Sequence, residues 1–265
     1  MATITNRYKK VTTALMEIRA VMEDCRALVT GGIVTGIEIW ETAVIPYLLN
    51  NSETWNDLPP KALEMLDDLQ NQFLVNLLAT PRTCPTPSLM WETGTISMGN
   101  KILKKKLLFY HHLLQLPEES LAWEVAQVQS NLALPGLISE CAALVLDMEL
   151  PEAKSCTKLE WKKLVYQNIK KKNRQDILET IETIETKNYK KLDLAELRAE
   201  QFERKSYLTD LNMQAARTKF ALRTKMTKTI KLNFKNDAVN KKTLWKCNDC
   251  SSIDSQEHIL WAPKD

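Results

Sequence analysis

The chain has 265 residues, 36 basic and 33 acidic side chains, a 44% hydrophobic content and only six glycines. Globular proteins usually contain roughly 7% glycine, so this scarcity argues against dinucleotide-binding sheets with phosphate loops and against turn-rich sandwiches. No apolar run reaches the length of about 18 residues that a transmembrane helix needs, and the N-terminus lacks the apolar core of a secretory signal. We therefore expect an intracellular protein, cytoplasmic or nuclear and without a membrane span, whose six cysteines are free thiols with at most one metal site.

The spacing of apolar residues predicts the first helices. Apolar residues recur at steps of three and four over residues 6–28, which predicts an amphipathic helix. Gly31 and Gly32 interrupt this pattern. A more apolar segment then runs from Ile33 to Leu49, and Pro46 predicts a kink or a break within it.

Prolines divide the middle of the chain into further helices. Proline fits the first turn of a helix, so a helix is expected to start at Pro60, and two shorter helices are expected between Pro117 and Pro151. Ser155 is expected to cap a long polar helix. Longer helices are predicted over 60–80, 97–116 and 155–187, and a short helix is predicted over 88–92. Strand candidates are short, as at 231–234, so the chain is predicted to be all-α.

The sequence offers no catalytic group. Metal-dependent phosphate chemistry needs clustered carboxylates, and the adjacent Asp67 and Asp68 fall within a predicted helix, where a solvated face is expected. His111 and His112 lack an orienting carboxylate, so one is expected to point into the core and the other outward. Three tryptophans at apolar helical positions are expected in the core: Trp40, Trp91 and Trp161.

Basic charge is concentrated towards the C-terminus. Residues 217–246 contain ten basic side chains and one acidic side chain, a net charge of +9. Cations beside threonine hydroxyls suit contacts with a nucleic-acid backbone, and a solvated charged helix is the alternative. The predicted nucleic-acid-binding residues are Arg217, Lys219, Arg223, Lys225, Lys228 and Lys231. A second, weaker candidate patch consists of Lys101, Lys104, Lys105 and Lys106.

A candidate zinc site lies near the end of the chain. Cys247 and Cys250 form a Cys-x2-Cys pair, and His258 follows after seven intervening residues. Two thiolates at this spacing bind one Zn²⁺ from a single turn, and the loop lets the histidine approach. A structural zinc normally takes a fourth ligand, and none of residues 259–263 can coordinate a metal. Binding and absence of zinc therefore both stay open.

Five strings stand in a fixed order along the chain. They are IWETAVIPYLLNNSETW (39–55), LQNQFLVNLL (69–78), WETGTISM (91–98), ARTKFALRTKM (216–226) and the Cys247/Cys250/His258 cluster. Together they resemble the region downstream of the palm in reverse transcriptases of non-LTR (LINE-type) retrotransposons. The resemblance covers nearly the whole chain in the family's order of helical thumb, helical connector and C-terminal CCHC knuckle.

This resemblance implies a domain plan and a function. It implies a multi-helix thumb-like domain over 1–150, a charged helical connector over 151–230, and a basic segment with a degenerate CCHC knuckle over 231–265. The family's knuckle has a further cysteine just before Pro263, where this chain has Ala262. The catalytic palm, with its Phe/Tyr-x-Asp-Asp hairpin, lies upstream of the matching region, so we expect no polymerase activity. The expected function is a truncated, retrotransposon-derived module that binds the RNA or DNA backbone and retains a weakened zinc site.

Two alternatives stay open on the sequence alone. The chain could be a helical interaction or structural remnant, with the apolar segment from Ile33 to Leu49 serving as a surface for a protein partner or for self-association. It could also be a fossil reading frame without a selected role.

Overall fold

The computed structural model describes residues 5–13, 31–55, 58–132, 134–185 and 201–224. These residues are mostly helical and contain no β-strand, which confirms the all-α class for the described part of the chain. The strand candidate at 231–234 lies outside the described residues. The helices are α1 (5–13), α2 (Gly32–Ile39), α3 (Ile45–Leu48), α4 (Pro60–Leu78), α5 (Thr86–Thr93), α6 (Met98–Leu114), α7 (Leu121–Asn131), α8 (Leu137–Asp147), α9 (Lys158–Glu185), α10 (Tyr207–Asp210) and α11 (Met213–Arg223).

The apolar segment that was predicted to break at Pro46 is helical from α2 to α3. A π-helical turn, Trp40–Val44, joins the two helices, and Pro46 occupies the first turn of α3. Proline has no N–H to donate, and its ring needs space in the preceding turn. The π-helical turn lies directly before Pro46 and is wider than an α-helical turn, so it suits this need. The chain therefore does not break at Pro46, and the regular α-helix is interrupted by the π-helical turn directly before it.

Two apolar cores are arranged along α6 and α9, which pack against each other. The first core joins the α2–α3 segment, α4 and α5 to the C-terminal half of α9, α10 and α11. The second core joins the C-terminal half of α6, α7 and α8 to the N-terminal half of α9. Each core combines residues from both sides of the boundary expected at residue 150.

Large aromatic residues confirm the predicted interior. Trp40 and Trp91 are fully buried in the first core, and Trp161 is buried in the second. Trp40 stacks on Phe73 with 4.5 Å between the ring centroids. The indole of Trp161 donates to the Leu107 carbonyl oxygen at 2.9 Å, so α6 and α9 are joined by a buried hydrogen bond as well as by apolar contacts.

The apolar segment from Ile33 to Leu49 contributes to the first core instead of forming an external surface. Its large side chains are buried, apart from Ile39 and Tyr47. The expectation that this segment exposes an apolar patch is therefore wrong. The helical spacing directs most of the apolar side chains of this segment into the core, so only the outward-facing ones stay accessible to a partner.

The cap of the long helix α9 lies two residues after the predicted cap. Ser155 lies in a 3-10 turn and donates to the Glu152 carbonyl oxygen at 2.7 Å. Thr157 takes the capping role instead, because its hydroxyl accepts from the Glu160 amide while the Glu160 carboxylate accepts from the Thr157 amide at 2.9 Å. The Thr157 hydroxyl also donates to the Glu160 carboxylate at 2.7 Å, and this hydrogen bond, together with that from the Thr157 amide, holds the pKa of Glu160 below its ordinary value.

Candidate nucleic-acid interface

The predicted basic residues of α11 mostly make contacts inside the protein. The Arg217 Nε atom donates to the Leu77 carbonyl oxygen at 2.9 Å. The Lys219 side chain is exposed and its Nζ atom lies 5.3 Å from the centroid of the Tyr207 ring. Lys225, Lys228 and Lys231 lie outside the described residues, so their predicted role stays a prediction.

Arg223 completes a buried polar cluster between α5, α10 and α11. Its Nε atom lies 3.0 Å from both carboxylate oxygens of Glu92, a residue with no exposed surface. The Tyr207 hydroxyl donates to the same carboxylate at 2.7 Å. Burial and the neighbouring carboxylate raise the pKa of Tyr207 well above its ordinary value, so the phenol stays protonated. Arg223 thus neutralises a charge that has no access to water.

Glycine lets the chain approach this cluster closely. Gly94 ends α5 in a left-handed conformation with φ of 64°, and a Cβ atom there would lie 2.6 Å from the Arg204 amide nitrogen. The neighbouring Lys205 amide donates to the Glu92 carbonyl oxygen at 3.1 Å. The segment before α10 is therefore fixed against the end of α5, next to the Glu92 carboxylate.

The second predicted patch, on α6, is not an exposed surface. Lys101 is buried, and its Nζ atom lies 2.9 Å from a Glu41 carboxylate oxygen and 2.7 Å from the Gln70 side-chain oxygen. Burial lowers the pKa of Lys101, and the charge of Glu41 opposes this shift. Lys106 is also buried and contacts both carboxylate oxygens of Glu140 at 2.7 Å. The prediction is wrong for these two lysines because carboxylates from other helices neutralise them.

A different basic surface lies on the N-terminal part of α9, where the exposed lysines are spread over more than half of the helix circumference at 100° per residue; we call this surface the α9 basic face. Residues 158–174 contain seven basic side chains and one acidic side chain, a net charge of +6. Four of the lysines are exposed, and in the described part of the chain none of these four has a salt-bridge partner. They are Lys158, Lys162, Lys163 and Lys171. Lys170 and Lys172 have acidic partners at 3.3 and 3.7 Å.

Lys104 and an exposed aromatic ring extend this face. Tyr166 is 47% exposed, and the Lys104 Nζ atom lies 5.4 Å from the centroid of its ring. Burial lowers the pKa of Lys104, and the positive charge of Lys162 acts in the same direction, whereas Glu41 opposes it. Lys104 and Tyr166 thus lie next to Lys162 at the edge of the α9 basic face.

A groove borders the other side of the α9 basic face. It has a volume of about 400 Å³ and lies between α9 and residues 201–203. Lys170, Lys171 and Arg174 line one wall, and Phe202 and Glu203 line the other. Glu203 is the residue that pairs with Lys170. The groove thus places three cationic side chains opposite the Glu203 carboxylate, with the buried Phe202 ring beneath.

The spacing along α9 suits a phosphate chain. Lys163 and Lys170 are separated by about 10 Å along the helix axis, at 1.5 Å per residue, which is about three nucleotide steps of one duplex strand. Lysine side chains act as flexible point charges, so they contact phosphates without reading the bases. The signal for this face is present in the sequence, since the run Lys170–Lys172 with Lys162 and Lys163 stands out when charge is counted over a single helix.

The residues that were judged unsuited to catalysis have structural roles. His111 is buried, its Nε2 atom lies 3.0 Å from the Cys156 carbonyl oxygen, and His112 is exposed, which confirms the inward and outward prediction. Asp68 is exposed as expected. Asp67 is not on a solvated face, because its carboxylate accepts from the Met98 amide at 3.0 Å and so caps α6, and burial raises its pKa.

Comparison with models of protein families, with curated proteins and with solved structures finds no match. Within the residues that the structure describes, no group of three or more His, Cys, Asp or Glu side chains is placed to hold a metal ion. The predicted zinc ligands Cys247, Cys250 and His258 lie outside those residues, so zinc binding stays a prediction. None of the described helices combines the length and apolarity that crossing a membrane requires.

Proposed function

We propose that this chain is a retrotransposon-derived module that binds the phosphate backbone of RNA or DNA and does not copy it. The observation that carries the proposal is the α9 basic face, with its four exposed lysines and a net charge of +6 over residues 158–174. The resemblance to the thumb and connector of non-LTR reverse transcriptases supports the same function.

Binding by this face follows from counterion release. Each phosphate that a lysine neutralises frees a condensed counterion, which gives affinity without sequence preference. Lys162, Lys163 and Lys171 are the proposed primary contacts because they are exposed and lack acidic partners among the described residues. A phosphate in the neighbouring groove would compete with Glu203 for Lys170, so that contact contributes less to affinity.

The residues predicted from the basic C-terminal segment have a secondary place in this proposal. Lys219 is exposed on α11 and can add a phosphate contact. Arg217 and Arg223 hold the fold together through their Nε atoms, so substituting them would change stability together with binding. The proposal also includes a weakened zinc site at Cys247, Cys250 and His258, because the family resemblance implies one.

The test is the salt dependence of binding to a labelled RNA hairpin and a matched DNA duplex. The K162Q/K163Q/K171Q variant removes three proposed contacts, and each contact contributes about 0.7 to 0.9 to the log–log slope. The slope is therefore expected to become shallower by about two to three, with weaker binding at every salt concentration.

A matched control removes the same charge elsewhere. Lys9, Lys10 and Lys61 are exposed and lie outside α9 and α11, so K9Q/K10Q/K61Q is expected to keep the wild-type slope. Equal effects of the two variants would mean that net charge alone governs binding. Absence of binding at low salt by the folded chain would overturn the proposal and favour the alternative of a remnant without a nucleic-acid role.

A further inference from the structure

Helix α7 carries an apolar stripe that the two cores do not cover. Leu121, Val125, Val128 and Leu132 follow one another at steps of four, three and four residues, the last of them at the C-cap. Their exposed fractions are 74%, 48%, 47% and 64%. At 100° per residue they fall within about 60° of the helix circumference, so the four side chains form one continuous line.

The opposite side of α7 fixes the helix to the protein. Ala126 is buried in the second core, and the Ser120 hydroxyl caps the helix by accepting from the Trp123 amide at 3.2 Å. α7 also packs on α6 and α8. Helix α7 is therefore anchored to the rest of the protein, and its apolar stripe faces outward from this anchored position.

The stripe has the pattern of a helix-pairing seam. Steps of four and three residues are the a and d positions of a coiled coil, which present knobs to a second helix. The order Leu, Val, Val, Leu reads the same in both directions. An antiparallel pair of α7 helices about a two-fold axis would set Leu121 against Leu132 and Val125 against Val128 of the second copy, on both sides of the axis.

The residues beside the stripe are compatible with this pairing. In the antiparallel register Glu124 lies beside Asn131 of the second copy, and Ala122 lies beside Gln129. No like charges meet, and an amide can donate to the Glu124 carboxylate. Antiparallel packing also places the positive end of each helix dipole near the negative end of the other.

We propose that a second copy of this chain docks on α7, forming an antiparallel α7–α7 dimer. The seam is three helical turns, about 16 Å long, so the interface belongs to the small class below roughly 1,200 Å² that typifies weak, reversible association. The occupant is a second copy because the order and size of the side chains in the stripe match across the two-fold axis and no like charges oppose each other there. This inference is independent of the proposed nucleic-acid binding, since α7 and α9 are separate elements with separate exposed faces.

Sedimentation velocity of the nuclease-treated full chain over a concentration series tests the proposal. The wild-type chain is expected to shift from monomer to dimer as concentration rises, with little dependence on salt because the seam is apolar. The V125E/V128E and V125K/V128K variants each place like charges across the seam and are expected to remain monomeric over the same range. Both positions are half-exposed, so circular dichroism should show native helix content in each variant.

Mixing the two variants makes the test specific to α7 against α7. The carboxylates of one variant then face the ammonium groups of the other, so an equimolar mixture is expected to regain a dimer, whereas neither variant does so alone. The control L159E changes an exposed leucine on α9 and is expected to dimerise like the wild type. A wild-type chain that stays monomeric throughout, like-charged variants that still dimerise, or a mixture that fails to associate would each overturn the proposal.

Discussion

The buried pair between Glu92 and Arg223 makes a sharp prediction about stability. Glu92 has no exposed surface, whereas the Arg223 side chain is 31% exposed. Replacing Arg223 by alanine leaves a buried carboxylate with the Tyr207 hydroxyl as a remaining donor. Replacing Glu92 by glutamine instead leaves the cation beside water, where it can be hydrated. The two partners of one ion pair should therefore differ in the effect of their removal.

The structure sets the size of that difference. Breaking a buried ion pair on one side costs about 3–5 kcal/mol, and partial solvent access to Arg223 places the R223A loss at about 3 kcal/mol. E92Q keeps an acceptor for Tyr207 and loses only the charge-assisted part of the bonding, about 1–2 kcal/mol. The double variant E92Q/R223A has no uncompensated charge, so its free energy of unfolding should exceed that of R223A alone by about 1–2 kcal/mol.

Urea denaturation followed by circular dichroism at neutral pH measures all four proteins. The wild type is expected to be the most stable protein and R223A the least stable, with E92Q and E92Q/R223A between them at similar values. An E92Q variant that is the most destabilised protein, or losses that add in the double variant, would contradict this prediction. Additive losses would mean that Glu92 and Arg223 do not interact in the folded chain.

Three further predictions concern buried titratable groups. The raised pKa of Tyr207 means that the folded state keeps a proton which the unfolded chain loses above pH 10. Wild-type stability should therefore fall by about 1.4 kcal/mol per pH unit above that pH. In urea melts from about pH 8 to 11, the difference in unfolding free energy between wild type and Y207F should shrink accordingly. Burial raises the pKa of Cys141 to about 12. Alkylation of the native protein at pH 8, followed by peptide mass spectrometry, should therefore modify the half-buried Cys156 and spare Cys141. Equal labelling of the two cysteines would contradict the burial of Cys141. K101M should lower the free energy of unfolding by about 1–3 kcal/mol because it leaves the side-chain oxygen of Gln70 without its donor, and unchanged urea midpoints would show that this contact is not formed.

Local pattern was sufficient to predict most helices. The proline at residue 60 and the apolar spacing that follows it predict α4, which spans Pro60–Leu78. The helix predicted over 97–116 corresponds to α6, which begins directly after Ser97, whose hydroxyl accepts from the Asn100 amide at 3.2 Å. These features depend on neighbours within one or two turns, so a linear reading contains the necessary information.

Charge partners were not predictable, because they come from distant parts of the chain. Lys106 and Glu140 are 34 residues apart, and Arg223 and Glu92 are 131 residues apart. A lysine or arginine with a buried carboxylate partner has the same local pattern as one that faces solvent. The count of basic residues therefore located positive charge, but it did not distinguish Arg217 and Arg223, which contact other parts of the protein, from exposed lysines such as those of α9.

The measurement that tests the central claim most directly is lysine footprinting with and without RNA. Acetylation of each lysine, followed by mass spectrometry, reports which side chains a bound phosphate backbone covers. Bound RNA is expected to slow the modification of Lys162, Lys163 and Lys171 severalfold and to leave the exposed Lys9 and Lys61 unchanged. Saturating RNA that leaves the three α9 lysines as reactive as in the free chain would contradict the account.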